Sequence, residues 1–169
     1  MANKAIFFDR DGTLNVDVHY LHEPEKFVWI EGSIDAIRWA NEHDYLVIVV
    51  TNQSGIARGY YDEAAMHRLH DWMNAELAAH GAHIDAFYYC PHHTEGKLPT
   101  YAKSCDCRKP APGMILRAIR EHNIDSAVSW MFGDAASDVA AAENAGVKGV
   151  RYTGGSLVDC VRRAIEQEE

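Results

Sequence analysis

The sequence predicts an α/β protein with a doubly wound, mostly parallel sheet, and three observations carry that prediction. Short apolar or β-branched runs alternate with segments of helical period along the whole length. The runs end in clusters of acids, amides, hydroxyls or glycine, and in open parallel sheets ligands gather at the carboxyl ends of the strands. At 169 residues the chain is sized for one domain, 1–169, that buries about 70% of its extended surface.

Ala5-Ile6-Phe7-Phe8 supplies the first strand. Apolar positions 34, 37 and 40 set one face of a helix over 33–42, with Ser33 as its N-cap. Leu46-Val47-Ile48-Val49-Val50 is the clearest strand, because a continuous β-branched run suits burial on both faces. Asp62 caps a helix carrying Met66, Leu69, Met73 and Leu77, which Gly81 ends. Residues 86–89 form a third strand, and 112–122 a helix with Pro112 in its first turn. Val128 to Phe132 is a fourth strand, 137–145 a helix closed by Gly146, 148–152 a fifth strand, and 157–166 a last helix. Two long connections remain, 13–30 and 90–110, and loops beyond about 12–15 residues are usually functional or held by something else.

Composition narrows the function classes. Sixteen basic against twenty-five acidic residues leave a net charge of −9, which argues against nucleic acid as a general partner. No apolar run approaches the about 18 residues a membrane span needs, and the N-terminus has no signal-peptide pattern. A soluble, cytoplasmic, monomeric protein is expected. In a reducing compartment its four cysteines point to metal or catalysis before disulfides.

Asp9 and Asp11 follow the first strand, and Gly12 lets the chain turn there so that both can share one mouth. Adjacent carboxylates repel, so a cation is the simplest way to keep both near neutral pH. Asp134, after the fourth strand, adds a third oxygen ligand for a hard ion such as Mg²⁺. Asp138 reads either as a further acid behind the site or as a helix-start carboxylate. Thr51, Asn52, Gln53, Ser54 and Gly55 follow the strongest strand as an anion cradle. Lys109, beside Arg108, can neutralise a phosphoryl group. Singly, each is a common capping, turning or solvated residue; their placement on neighbouring strand ends favours one site.

Cys90-x-His92 and Cys105-x-Cys107 bracket a polar loop with no core of its own. Three sulfurs and an imidazole suit a closed tetrahedral Zn²⁺ site that is structural rather than hydrolytic. His93 competes with His92 for the fourth position, a Cys105–Cys107 redox pair is the other use of the thiols, and Cys160 reads as an inert packed thiol.

The strands and clusters together resemble the haloacid dehalogenase (HAD) phosphohydrolase superfamily. Asp9-Arg10-Asp11-Gly12-Thr13 stands as its D-x-D-G-T motif, Thr51 as its second-motif Thr, Lys109 as its third-motif Lys, and Gly133-Asp134 with Asp138 as its fourth. The resemblance implies a HAD-like, Rossmann-type fold without a separate cap domain. It further implies that Asp9 attacks phosphorus to form an aspartyl-phosphate. Asp11 would protonate the leaving alkoxide and later deprotonate water. Mg²⁺ would be held by Asp9, the Asp11 carbonyl and Asp134, while Thr51 and Lys109 hold the phosphoryl oxygens.

Cys90-Pro91-His92-His93, the stretch Cys105 to Pro110 and the stretch Thr51 to Gly59 look like the heptose bisphosphate phosphatase group, related to histidinol phosphatases. That likeness implies a small phosphorylated sugar as substrate, the 7-phosphate of D-glycero-D-manno-heptose 1,7-bisphosphate, on the route to the nucleotide-activated heptose of lipopolysaccharide or surface glycans. Arg108 would then meet the second phosphate or a sugar hydroxyl, with Asn52 and Arg58 as further specificity candidates. Ala135 departs from the group, many of whose members place a Lys there. Histidinol-phosphate hydrolysis, phosphoryl transfer to another sugar, and a zinc-stabilised binding protein without chemistry are the competing expectations.

Overall fold

The computed structural model describes residues 2–168; Met1 and Glu169, the ends of the expected 1–169 domain, lie outside the described residues. Five strands, β1 (Lys4–Phe8), β2 (Tyr45–Asn52), β3 (Ala86–Cys90), β4 (Trp130–Gly133) and β5 (Lys148–Arg151), form one sheet in the order β3-β2-β1-β4-β5. Every pairing is parallel. Around it lie α1 (Ser33–Glu42), α2 (Ser54–Ala57), α3 (Glu63–Ala78), α4 (Gly113–Glu121), α5 (Ala136–Asn144) and α6 (Leu157–Glu168).

Alternation along β1 and β2 divides the core in two. Ile6, Phe8, Val47 and Val49 pack with residues of α1, α3 and α6 on one face. Ala5, Phe7, Ile48 and Val50 pack with α4 and α5 on the other. Each fully buried Ile or Phe contributes about 1.5–3 kcal/mol, so helices on both faces fix the sheet. The winding reverses at β1, and the Phe8–Val49 and Phe8–Phe132 registers bring the ends of β1, β2 and β4 to one edge.

The structure shifts several predicted boundaries. Val128 lies in a 3-10 turn, Ser126–Val128, rather than in a strand, because Asp125 caps Ala127 and the turn directs Val128 outward. The cap of α1 is Gly32, whose φ of 79° lies in the left-handed region, and Ser33 is the first helical residue. Pro112 caps α4 from outside. The polar stretch after β2 contains the one-turn helix α2, which the sequence pattern does not signal. Asp62 caps α3 as expected, accepting from the Ala65 N–H at 2.8 Å.

Candidate active site

At that edge lies a cavity of about 340 Å³ whose lining includes Asp9, Asp11, Thr51, Asn52, Lys109 and Asp134. Asp9 leaves β1 with its N–H donated to the Phe132 carbonyl at 3.1 Å, which joins the ends of β1 and β4. Its Oδ1 accepts from Lys109 Nζ at 2.7 Å. The same ammonium donates to Asp138 Oδ1 at 2.5 Å and to the Val50 carbonyl at 3.1 Å, so all three of its protons are placed. Asp138 Oδ2 accepts from the Ala135 N–H at 3.1 Å, so this one carboxylate both starts α5 and anchors the lysine.

Two glycines make room for these acids. A Cβ on Gly12 would lie 2.2 Å from Asp134 Oδ2, and Gly12 has φ +89°. A Cβ on Gly133 would lie 2.4 Å from Asp138 Oδ2. Oxygens of Asp9, Asp134 and Asp138 all come within 4.8 Å of one another.

Three carboxylates around one ammonium carry surplus negative charge in a buried site. Burial, with the neighbouring Asp138, pushes the Asp9 carboxyl up to about 8 against the pull of Lys109. Burial likewise raises Asp134. For Lys109, burial pulls the ammonium down, but the charges of Asp9 and Asp138 outweigh it and hold the pKa above the usual lysine value. A divalent ion would offset that surplus charge, and the oxygen-only donor set fits Mg²⁺.

Asp11 points elsewhere. Arg10 Nε and Nη2 grip its carboxylate from 3.1 Å each. Asn15 Nδ2 donates to Oδ1 at 3.0 Å and Gln53 Nε2 to Oδ2 at 3.3 Å. Gln53 Nε2 also reaches Thr51 Oγ1 at 2.8 Å, and Tyr61 donates to its Oε1. Asn52 serves the backbone, accepting from the Lys109 N–H at 3.0 Å. Arg108 does not line the main cavity. It borders a neighbouring one of about 220 Å³, with His93, Lys103 and the shared Lys109. Arg58 is turned to His93 and Glu95. Sequence reasoning misses the parts played by Arg10, Asn15 and His70; a cation set between two acids is the one available signal.

The cysteine loop closes on itself as its spacing suggests. Ligand atoms of Cys90, His92, Cys105 and Cys107 lie within 4.8 Å of one another. Cys90 and Cys107 Sγ are in direct contact, with Cα atoms 5.6 Å apart. Cys105 Sγ is 3.3 Å from Cys90 and 3.2 Å from Cys107, and His92 Nδ1 is 3.4 Å from Cys107. The closest sulfur pair is therefore Cys90–Cys107, not Cys105–Cys107. A disulfide accounts for two of these atoms, whereas a four-donor centre accounts for a third sulfur and an imidazole aimed at the same point, so the set fits Zn²⁺. His93 lies outside it, its Nδ1 accepting from the Glu95 N–H at 3.0 Å. Glu63 of α3 secures the loop from another side, accepting from Tyr89 at 2.6 Å and Tyr101 at 2.7 Å. Those bonds hold its carboxyl below the usual glutamate range. Among the described residues no helix is long and apolar enough to cross a membrane.

Known proteins are similar to this chain in sequence and fold. A HAD-hydrolase-like family model matches residues 106–166. The chain is 53% identical over 145 residues to D-glycero-beta-D-manno-heptose-1,7-bisphosphate 7-phosphatase of Pasteurella multocida, covering 86% of this chain and 78% of that protein. It is 48% identical over 152 residues to the protein of that name from Escherichia coli K12, covering 89% and 80%. Among solved structures, a D,D-heptose 1,7-bisphosphate phosphatase from B. bronchiseptica, complexed with magnesium and phosphate, superposes with TM-score 0.81 at 30% identity over 98% of this chain and 99% of that one. A HAD-like protein from Mesorhizobium loti gives TM-score 0.86 at 32% identity, over 98% of this chain and 87% of that one.

Proposed function

Because the chain belongs to the D-glycero-beta-D-manno-heptose-1,7-bisphosphate 7-phosphatase family of HAD-like phosphatases, we propose that it removes the 7-phosphate of that heptose bisphosphate through an aspartyl-phosphate. The observation that carries this reading is Asp9, a buried carboxylate in contact with Lys109 and beside Asp134 at the floor of the cavity.

In the first half-reaction an Asp9 oxygen bonds to phosphorus as the bond to the sugar oxygen breaks, and Asp11 gives the departing alkoxide its proton. In the second, water attacks the acyl phosphate, Asp11 takes a proton from it, and Asp9 and inorganic phosphate are released. Lys109 and Thr51 hold the phosphoryl oxygens, and Lys109 pulls Asp9 towards its ionised form, offsetting part of the burial that raises its carboxyl. Asp9, Asp134 and the Asp11 carbonyl would hold Mg²⁺, which neutralises charge between nucleophile and phosphate. Asp138 accepts from the Lys109 ammonium and from the Ala135 N–H, and in this reading it positions the lysine.

Cys90, His92, Cys105 and Cys107 would hold a structural Zn²⁺ that fixes the approach to Arg108 and Lys109. Arg108, in the adjoining cavity, is suited to the second phosphate of the substrate. Thiols kept reduced by zinc would suit the cytoplasm, and the chain acts as a single-domain monomer on a small phosphorylated sugar.

One feature favours a second substrate: Asp17 lines the cavity and could meet the ammonium of histidinol phosphate. Turnover of both anomers of the heptose bisphosphate and of histidinol phosphate, with Mg²⁺ added and withheld, tests the assignment. Faster histidinol-phosphate hydrolysis would reverse it.

A further inference from the structure

Behind Asp11 lies a chain of buried polar groups that the chemistry above does not use. The Arg10 side chain is wholly buried. Besides the Asp11 carboxylate, its Nη2 donates to the Leu21 carbonyl at 2.8 Å, and its Nη1 lies 3.2 Å from His70 Nε2. His70 comes from α3, sixty residues away in sequence. Its ring is 3% exposed and stacks on Phe87 at 4.1 Å, with the planes 8° apart. Burial, then the Arg10 charge, pushes its pKa down to about 2. The ring is therefore neutral, and since an arginine N–H can only donate, Nε2 accepts and Nδ1 carries the proton. That Nδ1 is buried without a partner among the described residues. A buried, half-satisfied imidazole is costly, so packing alone would favour an apolar residue here.

We infer that His70 is a positioning residue for phosphoryl transfer: by accepting from Arg10 it fixes the guanidinium fork, and the fork fixes the plane of the Asp11 carboxyl group for proton exchange with the leaving oxygen. The bidentate pair has no free torsion once the guanidinium is set, and His70, the Leu21 carbonyl and Gln53 set it from three directions. This inference rests on the acid–base role proposed for Asp11.

The test uses kcat/KM, which covers the steps up to leaving-group departure, on two esters with Mg²⁺ present. 4-Nitrophenolate leaves as a stable anion and needs no proton, whereas the alkoxide of an alkyl phosphate does. His70→Leu keeps bulk but removes the acceptor; it should lose about 10²-fold on the alkyl phosphate and stay within about threefold on 4-nitrophenyl phosphate. His70→Gln, which restores an acceptor, should recover the alkyl-phosphate rate. Equal losses on both esters, or no loss on either, would overturn the inference, because a loosened pocket does not discriminate between leaving groups. Asp11→Asn, measured alongside, separates the two ideas. If it keeps alkyl-phosphate turnover, the role of Asp11 itself falls; if it loses turnover while His70→Leu does not, only the role of His70 falls. Should His70→Leu not fold, Arg10→Lys, which keeps charge but not the fork, must show the same leaving-group pattern.

Discussion

Asp9, Asp134 and Asp138 meet from the ends of two neighbouring strands and the first turn of α5, whereas Cys90, His92, Cys105 and Cys107 come from one stretch of chain leaving β3. The oxygen cluster is assembled by the sheet: β1 and β4 are hydrogen-bonded neighbours, so their ends are adjacent with or without an ion. A cation there would answer an electrostatic need. The sulfur cluster lies at the foot of a loop held elsewhere by few contacts, among them the two phenols on Glu63 and the Lys97 and Leu98 N–H groups on the Ala57 carbonyl. A cation there would answer an entropic need. One ion would serve chemistry and the other geometry, and substitutions should separate them.

The largest effect is expected at Asp9, the proposed nucleophile. Asp9→Asn should reduce hydrolysis to background while leaving zinc content and circular dichroism unchanged; turnover near the wild-type rate would exclude Asp9 as the attacking group. Next comes Lys109→Met, which leaves Asp9 and Asp138 buried without their cation. It should cost about 3–5 kcal/mol in urea unfolding without added divalent ion, and added Mg²⁺ should restore part of that.

On the other side of the comparison, Cys105→Ser should lower bound zinc by metal analysis and cut activity by about one to two orders of magnitude through misplacement of Lys109. The nucleophile should still be trapped as a phosphoryl-enzyme in rapid quench. Loss of the trapped species would mean that the loop does more than position.

His70 yields a pH effect. Its pKa is about 2 in the fold against 6.5 in the open chain, so between those values the unfolded chain binds a proton that the folded one does not. Stability should therefore fall as pH drops from 6.5 towards 2, with a slope of up to about 1.4 kcal/mol per pH unit. His70→Gln should flatten that limb of a urea-midpoint profile. The smallest effect is expected from Glu63→Gln, which weakens the bonds to Tyr89 and Tyr101 and should cost about 1 kcal/mol, with faster hydrogen exchange confined to residues 93–104.

Much of the architecture was legible because each strand is an apolar run ending in polar punctuation. The run from Leu46 to Val50 reads as a strand buried on both faces, and the acids after Phe8 and Phe132 could share a mouth only if those strands were neighbours. The cysteine spacing likewise announced its cluster. Local pattern could not show what distant elements contribute. His70 falls on the buried side of α3 beside Leu69 and Met73, and nothing near it in sequence shows that it meets Arg10. Val128 carries a strand propensity that a capped turn overrode. Arg108 stands next to Lys109 in sequence, yet of the two only Lys109 also lines the main cavity, a difference set by how the chain turns there.

Glu63 and His70 sit two turns apart on the same helix. Through Glu63 that helix grips the loop leading to Lys109, and through His70 it braces the guanidinium behind Asp11. One helix bearing on both sides ties their positions together: a shift of α3 would disturb the Asp11 carboxylate and the Lys109 ammonium at once. The active centre thus has a common keel, and damage to α3 should detune both halves of catalysis at once.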